Sequence, residues 1–264
     1  MSIESGEDLA GVAAAGRVAA RTLALMLGRV RPGITPFELN RIGAEEMRRS
    51  GARSAPMVSV DFPAETCISV NSAVAHGIPT REPLGPGDLI NIDVSVELDG
   101  YFADTGASVP VDRDDEALAR LCATGRAALG RALGQVRSGG LLSELGRAAE
   151  RVALDAGYDV LRDLCGHGLG RALHEEPGSI LGYYDPLDRR RMSDGLVLAI
   201  EPFVSTGARR VRTAADGWTL LTEDGGVAVQ FEHTVVVTSR GALVMTAERP
   251  FLAGSDPAFA ELAA

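Results

Sequence analysis

An acidic chain of 264 residues, with a formal net charge of −10 and a pI of about 5.0, argues against a nucleic-acid partner, and its length suits one large domain or two small ones. All basic residues are arginine and none is lysine, which excludes Schiff-base chemistry, pyridoxal phosphate attachment, Ser-Lys dyads and the phosphate-binding lysine of a P-loop. Three cysteines, an odd number, argue against a disulfide framework and fit a reducing cytosol.

The first residues, Met1 to Ser5, have neither a basic nor an apolar segment and do not read as a signal peptide. No apolar run is expected to reach bilayer length, so the chain reads as a soluble, cytoplasmic protein with no membrane partner. Residues 7–28, rich in Ala, Leu, Arg and Val and free of proline, predict a helix that Arg31-Pro32-Gly33 breaks. Thr35-Pro36-Phe37-Glu38 is a helix start, with a threonine N-cap, proline at the first helical position and an acid in the first turn. That helix is expected to run to about Gly51. Leu89 to Glu97 predicts a strand, Asp99-Gly100 a tight turn, and Tyr101 to Val111 the returning strand. Residues 115–136 and 142–156 predict a second helix pair. Leu196–Val204 and Val227–Val237 are apolar, β-branched runs expected to be strands in the sheet core. The tail, residues 250–264, is expected to be peripheral.

The two helix pairs are related in sequence. Leu27-Gly28, Val30-Arg31, Gly33, Glu38-Leu39 and Gly51 recur 106 residues later as Leu133-Gly134, Val136-Arg137, Gly139, Glu144-Leu145 and Gly157. A repeat at that distance predicts two half-domains, about 8–112 and 114–247, within a single domain, and a cleft where they meet.

All four histidines lie in short motifs that also carry carboxylates or glycines. They are His76 in Ala75-His76-Gly77-Ile78-Pro79, His167 and His174 between Cys165 and Pro177, and His233 after Glu232. Imidazole is a common metal ligand and proton shuttle, and surrounding carboxylates favour divalent metals. In the expected hairpin Ser95 pairs with Asp104, and Asp93 lies diagonal to Asp104 on the same face, about 7–8 Å away at the backbone. Two readings stand for the hairpin alone: acids converging on a cation, or the solvent-facing polar side of an antiparallel pair. Glu201 and Glu232 each end or interrupt an apolar strand, and His167 sits between Gly166 and Gly168, where backbone can approach closely.

Rival motifs fail. His174-Glu175-Glu176-Pro177 lacks the second histidine of an HExxH helix. Gly166, Gly168 and Gly170 have the wrong spacing for a dinucleotide loop, and no Gly-Xaa-Ser-Xaa-Gly elbow occurs. Cys122 and Cys165 read as buried structural thiols.

The set Asp93, Asp104, His167, Glu201 and Glu232 resembles the five-ligand dimetal centre of type I methionine aminopeptidases. Cys67 to Asn71, Ala75 to Pro79, Asn91 to Val94, Cys165 to Pro177, Ile200 to Pro202, Arg212 to Thr219 and Gln230 to Val236 support the likeness, which spans residues 8–247. The resemblance implies the pita-bread fold, an α/β (α+β) architecture with pseudo-twofold halves, antiparallel sheet and flanking helices. It implies Asp93 on one metal, His167 and Glu201 on the other, and Asp104 and Glu232 bridging two divalent ions (Co, Mn, Fe or Zn) that activate a water. Glu201 is the implied proton carrier. His174 would polarise the scissile carbonyl and His76 would hydrogen-bond the substrate amide, unless both merely support the ligands. Phe62, Cys67, His76 and Trp218 match or adjoin the methionine-pocket positions, with core packing as the other reading of Trp218.

The chain departs from the family pattern at Leu173, where an aromatic is common. It departs again at Pro56-Met57-Val58-Ser59, which lacks the aromatic and thiol residues often seen on that pocket wall. Neither the N-terminal zinc or SH3-binding extension nor the type II insertion is expected. The implied enzyme is a methionyl aminopeptidase acting as a monomer on the N-terminal peptide of nascent proteins with a small second residue. The alternatives are an Xaa-Pro aminopeptidase or dipeptidase on the same fold, which usually carries an additional N-terminal domain, and a non-catalytic binding protein.

Overall fold

The structure is a computed structural model that describes residues 2–111 and 115–253. The expected boundary between the half-domains, and the tail from residue 254 onward, lie outside the described residues.

Helix α1 (Gly6–Leu27) starts at Ser5, whose side chain accepts from the Asp8 N–H. It buries Val12, Ala15, Ala19, Leu23 and Met26, a stripe at helical spacing that lies on the hairpin. By length and composition α1 could cross a membrane, contrary to the sequence expectation. Half of its most apolar window is buried inside the protein, so its apolarity serves packing. Helix α2 (Pro36–Arg49) has the expected start: Thr35 and Glu38 form a reciprocal capping box with Pro36 in the first turn. A short helix the sequence did not announce, α3 (Ala55–Val60), is capped by Ser54 and ends at Asp61 in the left-handed region. Helices α4 (Glu116–Leu133) and α5 (Ser143–Asp155) fall where the second pair was expected.

The glycines shared by the two helix pairs take matching conformations. Gly28 and Gly134 both close a helix at φ −66° and −64°. Gly33 and Gly139 stand at φ 86° and 81°, and Gly51 and Gly157 at 75° and 82°, where a side chain would be strained. Two large buried clusters accompany the pairs, one beneath α1 and α2, the other beneath α4 and α5.

All strand pairings are antiparallel. Leu89–Leu98 and Tyr101–Pro110 form the hairpin, with Asp99 (φ 51°) and Gly100 (φ 80°) supplying a two-residue turn. The register sets Ser95 opposite Asp104 and Asp93 opposite Gly106, as the alternation required. Cys67–Val70 and Arg53–Ser54 share the other edge of Leu89–Leu98.

The two apolar runs expected as continuous strands are both broken. Leu196–Val204 divides into Val197–Ile200 and Phe203–Ser205 around Glu201-Pro202. Val227–Val237 divides into Ala228–Gln230 and His233–Thr238 around Phe231-Glu232. Pro202 has no N–H for a ladder, which ends the first segment there. The outer pieces pair, His233 with Ile200, in a six-stranded sheet. The inner pieces pair, Phe203 with Gln230, in a three-stranded sheet. The two chains thus leave one sheet for another at a common corner, and the acids Glu201 and Glu232 stand at that corner.

Candidate metal centre

The first-half hairpin meets the second-half corner through buried hydrogen bonds. The Asp104 N–H donates to Thr234 Oγ1 at 2.8 Å, and Thr234 Oγ1 donates to the Asp104 carbonyl at 2.8 Å. Thr105 Oγ1 donates to the Glu232 carbonyl at 2.9 Å, and the Glu232 N–H to the Gly106 carbonyl at 2.9 Å. These bonds fix the backbones of Asp104 and Glu232 against each other before any side chain is considered.

His167 reaches the same place from the Cys165–Gly168 strand. Its flanking glycines have a steric cause: a Cβ at Gly166 would lie 2.2 Å from the Ala199 carbonyl oxygen, and one at Gly168 2.4 Å from that of Glu176. His167 Nδ1 is 3.0 Å from the Gly168 carbonyl. A carbonyl only accepts, so Nδ1 carries a proton, which leaves Nε2 as the ring nitrogen available to a metal. Nε2 faces Asp104 Oδ2 at 3.8 Å and Glu201 Oε1 at 3.9 Å. These distances are too long for hydrogen bonds. They suit atoms that share a cation, since ligands about 2.1 Å from one ion lie roughly 3–4 Å apart.

Asp104, His167 and Glu232 each present one donor atom within 4.8 Å of the others. Asp93 stands beside Asp104 across the hairpin. Its Oδ1 and Glu232 Oε1 are buried without a hydrogen-bond partner. Among the described residues no arginine pairs with any of the four acids. Burial first, and neighbouring carboxylates next, push Asp93, Glu201 and Glu232 well above the usual carboxylate range. Buried oxygens left unpaired, clustered acids without a counter-charge and an imidazole nitrogen aimed among them fit a divalent metal.

The cluster opens into a cavity of about 380 Å³. Every candidate site residue lines it except Glu232, which is buried behind it. Phe62 and Trp218 meet edge to face, with centroids 5.2 Å apart and planes at 89°, and Cys67 packs with them. Burial and the nearby acids push the Cys67 thiol well above its ordinary range. His76, at φ 52°, and His174 open onto the cavity. The surrounding protein lowers the pKa of both, and for His174 the neighbouring His167, ring centroid 4.4 Å away, adds to this. Both imidazoles are therefore held toward the neutral form, able to donate one N–H.

Two readings need correction. Cys165 lines the cavity and is only partly buried, so it is not a buried structural thiol. Of the wall expected at 56–59, only Pro56 faces the cavity, joined by Val60, while Met57 and Val58 point outward because α3 turns them away. Residues also went unnoticed: Ser95, whose Oγ donates to Asp104 Oδ1 at 2.8 Å, Gln230, whose Nε2 donates to Glu232 Oε2 at 3.0 Å from behind, and Asn91, whose Nδ2 donates to Gln230 Oε1 at 2.8 Å. Strand alternation carried a signal for them, since residues two apart share a face: Asn91 with Asp93 and Ser95, Gln230 with Glu232.

Residues 10–239 match the family described as Metallopeptidase family M24. The chain belongs to that family. It is 40% identical over 247 residues to Methionine aminopeptidase 2 of Bacillus subtilis (strain 168), covering 93% of this chain and 99% of that one. The crystal structure of methionine aminopeptidase from Rickettsia prowazekii superposes with a TM-score of 0.89 at 35% identity, covering 94% of this chain and all of that chain. With these relatives the chain stands among the type I methionine aminopeptidases, and its helices and antiparallel sheets form the pita-bread fold. Prolidase from Pyrococcus furiosus matches with a TM-score of 0.73 at 22% identity over 93% of this chain and 65% of that one, a likeness of fold alone.

Proposed function

We propose that this chain is a metal-dependent methionyl aminopeptidase, a single catalytic unit that removes the initiator methionine from nascent proteins with a small second residue. The observation that carries the reading is a cluster of four acids and one imidazole with no arginine paired to it among the described residues, Asp104, His167 and Glu232 buried and Asp93 and Glu201 half-buried, opening on a cavity edged by two histidines held toward the neutral form. Asp93, Asp104, His167, Glu201 and Glu232 would hold two divalent ions, Co, Mn, Fe or Zn. Bound there, the metal supplies Lewis acidity to a water and to the scissile carbonyl. Glu201, at the cavity surface, accepts and passes on a proton. His174 donates an N–H to the oxygen that becomes negative, and His76 holds the substrate amide. Phe62, Cys67 and Trp218 receive the thioether side chain, which packs well at aromatic edges. One chain supplies every group, in keeping with a monomer, and three unpaired thiols fit the cytoplasm.

The test is a peptide panel with the protein reconstituted in each metal. Methionine release from Met-Ala-Ser should far exceed release from Met-Arg-Ser and cleavage of Ala-Pro-Ala. Faster cleavage of Ala-Pro-Ala would favour the Xaa-Pro reading. No release with any of the four metals would leave a binding protein.

A further inference from the structure

Behind the acid cluster lies a buried amide that the proposed chemistry does not use. Gln230 ends the Ala228–Gln230 strand and is 1% exposed. Its Nε2 donates to Glu232 Oε2 at 3.0 Å and, at a longer 3.4 Å, to Glu201 Oε2. Its Oε1 accepts from Asn91 Nδ2 at 2.8 Å. Its backbone is gripped as well: the Gln230 N–H donates to Ser108 Oγ at 3.0 Å, and Ser108 Oγ donates to the Gln230 carbonyl at 3.1 Å. Gly106 leaves room for this carboxamide, because a Cβ there would lie 2.2 Å from Gln230 Oε1.

We infer that Gln230 is a positioning residue for the metal centre, a neutral strut that aims the Glu201 and Glu232 carboxylates while anchored on Asn91 and Ser108 of the other half. The inference rests on the reading of those acids as metal ligands. The chemistry needs an amide. A group that must donate to two carboxylates at once cannot be an acid, and a charged donor would offset the negative charge that attracts the cation. With one oxygen of each acid held by Nε2, the others face the site: Glu232 Oε1 is buried and unpartnered, and Glu201 Oε1 lies 3.9 Å from His167 Nε2. Asn91 sets the polarity of the strut. Because its Nδ2 occupies Gln230 Oε1, the Gln230 NH₂ is turned toward the acids.

Two substitutions in the full chain test this. Gln230→Met keeps an unbranched side chain of similar shape and removes both donors. Asn91 then still has the Ser108 hydroxyl and the residue 230 carbonyl as acceptors, at 3.2 and 3.4 Å. Asn91→Asp leaves Gln230 in place but offers only acceptors, so the Gln230 amide must reverse and present its oxygen to Glu201 and Glu232. Calorimetric titration with Mn(II) alone should show both variants binding about 10–100-fold more weakly than the wild type. The visible absorption of the Co(II)-loaded protein should change in both, while the unfolding midpoint in chelator stays near that of the wild type. Wild-type Mn(II) affinity and an unchanged Co(II) spectrum in either folded variant would overturn the assignment, as would a lowered midpoint with unaltered metal binding. A wild type that binds no metal would instead sink the proposed centre itself.

Discussion

Removing one charge from the acid cluster should stabilise the metal-free protein while abolishing its use of metal. Asp104 is the charge to remove, because it is the largest neighbouring-charge effect raising Asp93, Glu201 and Glu232. Asp104 and Glu232 bring oxygens within 4.8 Å of each other. Two full charges at that separation repel by about 3.5 kcal/mol at an effective dielectric of 20. The buried acids hold protons for part of the time, so an expected gain for Asp104→Asn is about 1–3 kcal/mol at pH 8. Asparagine keeps the acceptor that Ser95 Oγ uses at 2.8 Å and adds an NH₂ that can face the remaining acids. The pH dependence follows from the direction of the shifts. An acid raised in the folded state holds protons that the unfolded chain releases, so wild-type stability is fully present below the ordinary carboxylate range and falls as pH rises toward the raised values. The advantage of the variant should therefore shrink toward pH 5. Urea unfolding in chelator across pH 5–8.5 measures both effects. Excess Mn(II), at about 100 times its dissociation constant, should stabilise the wild type by about 2.7 kcal/mol and the variant by far less. A variant less stable than wild type in chelator at pH 8, or a gain independent of pH, would refute the reasoning.

Two further outcomes follow from single contacts. Thr234→Val preserves shape but strips the Asp104 N–H and carbonyl of their shared hydroxyl, so unfolding in urea should show a loss of about 2–4 kcal/mol; a loss under about 0.5 kcal/mol would show the seam to be held otherwise. The Cys122 thiol is raised by burial to about 11 and Cys67 well above its ordinary range, whereas Cys165 is half buried at the cavity. Alkylation of the native protein at pH 8, followed by mass spectrometry, should therefore mark Cys165 first and the other two only on unfolding. Labelling of Cys122 at the rate of Cys165 would contradict this.

What could be read in the sequence was what local rules write. The Thr35 cap, the Asp99-Gly100 turn and the alternation of the hairpin each depend on a few adjacent residues, and each gave the observed element and register. The glycines around His167 were legible as a close approach, although the backbones they approach, at Ala199 and Glu176, were not. Apolar runs through Glu201 and Glu232 looked continuous because composition does not record a change of sheet. Only Pro202 hinted at the corner. Helix α3 was missed because six residues with two valines carry little helical signal, and it forms where Ser54 and Pro56 start it. Asn91 and Gln230 were overlooked for a different reason: Asn91 meets Gln230 across 139 residues, Gln230 reaches Glu201 across 29 as well as Glu232 close by, and a neutral amide has no charge to draw attention to it.

The placement of the candidate centre explains why the acids are tolerated at all. Carboxylates in the middle of a single packed sheet would have only apolar neighbours and a heavy desolvation penalty. Here each lies where regular structure is interrupted or where two halves meet. Glu201 and Glu232 stand at the corner between sheets, and Asp93 and Asp104 on the hairpin face turned to that corner. Hydroxyls and amides at the seam satisfy the backbones and some of the carboxylate oxygens: Ser95, Thr105 and Thr234 around Asp104 and Glu232, Gln230 behind both glutamates. The oxygens left unpaired, on Asp93 and Glu232, are those without any protein donor. The large apolar clusters beneath each helix pair flank this seam, so the acid cluster is confined to a thin layer whose geometry both cores hold in place.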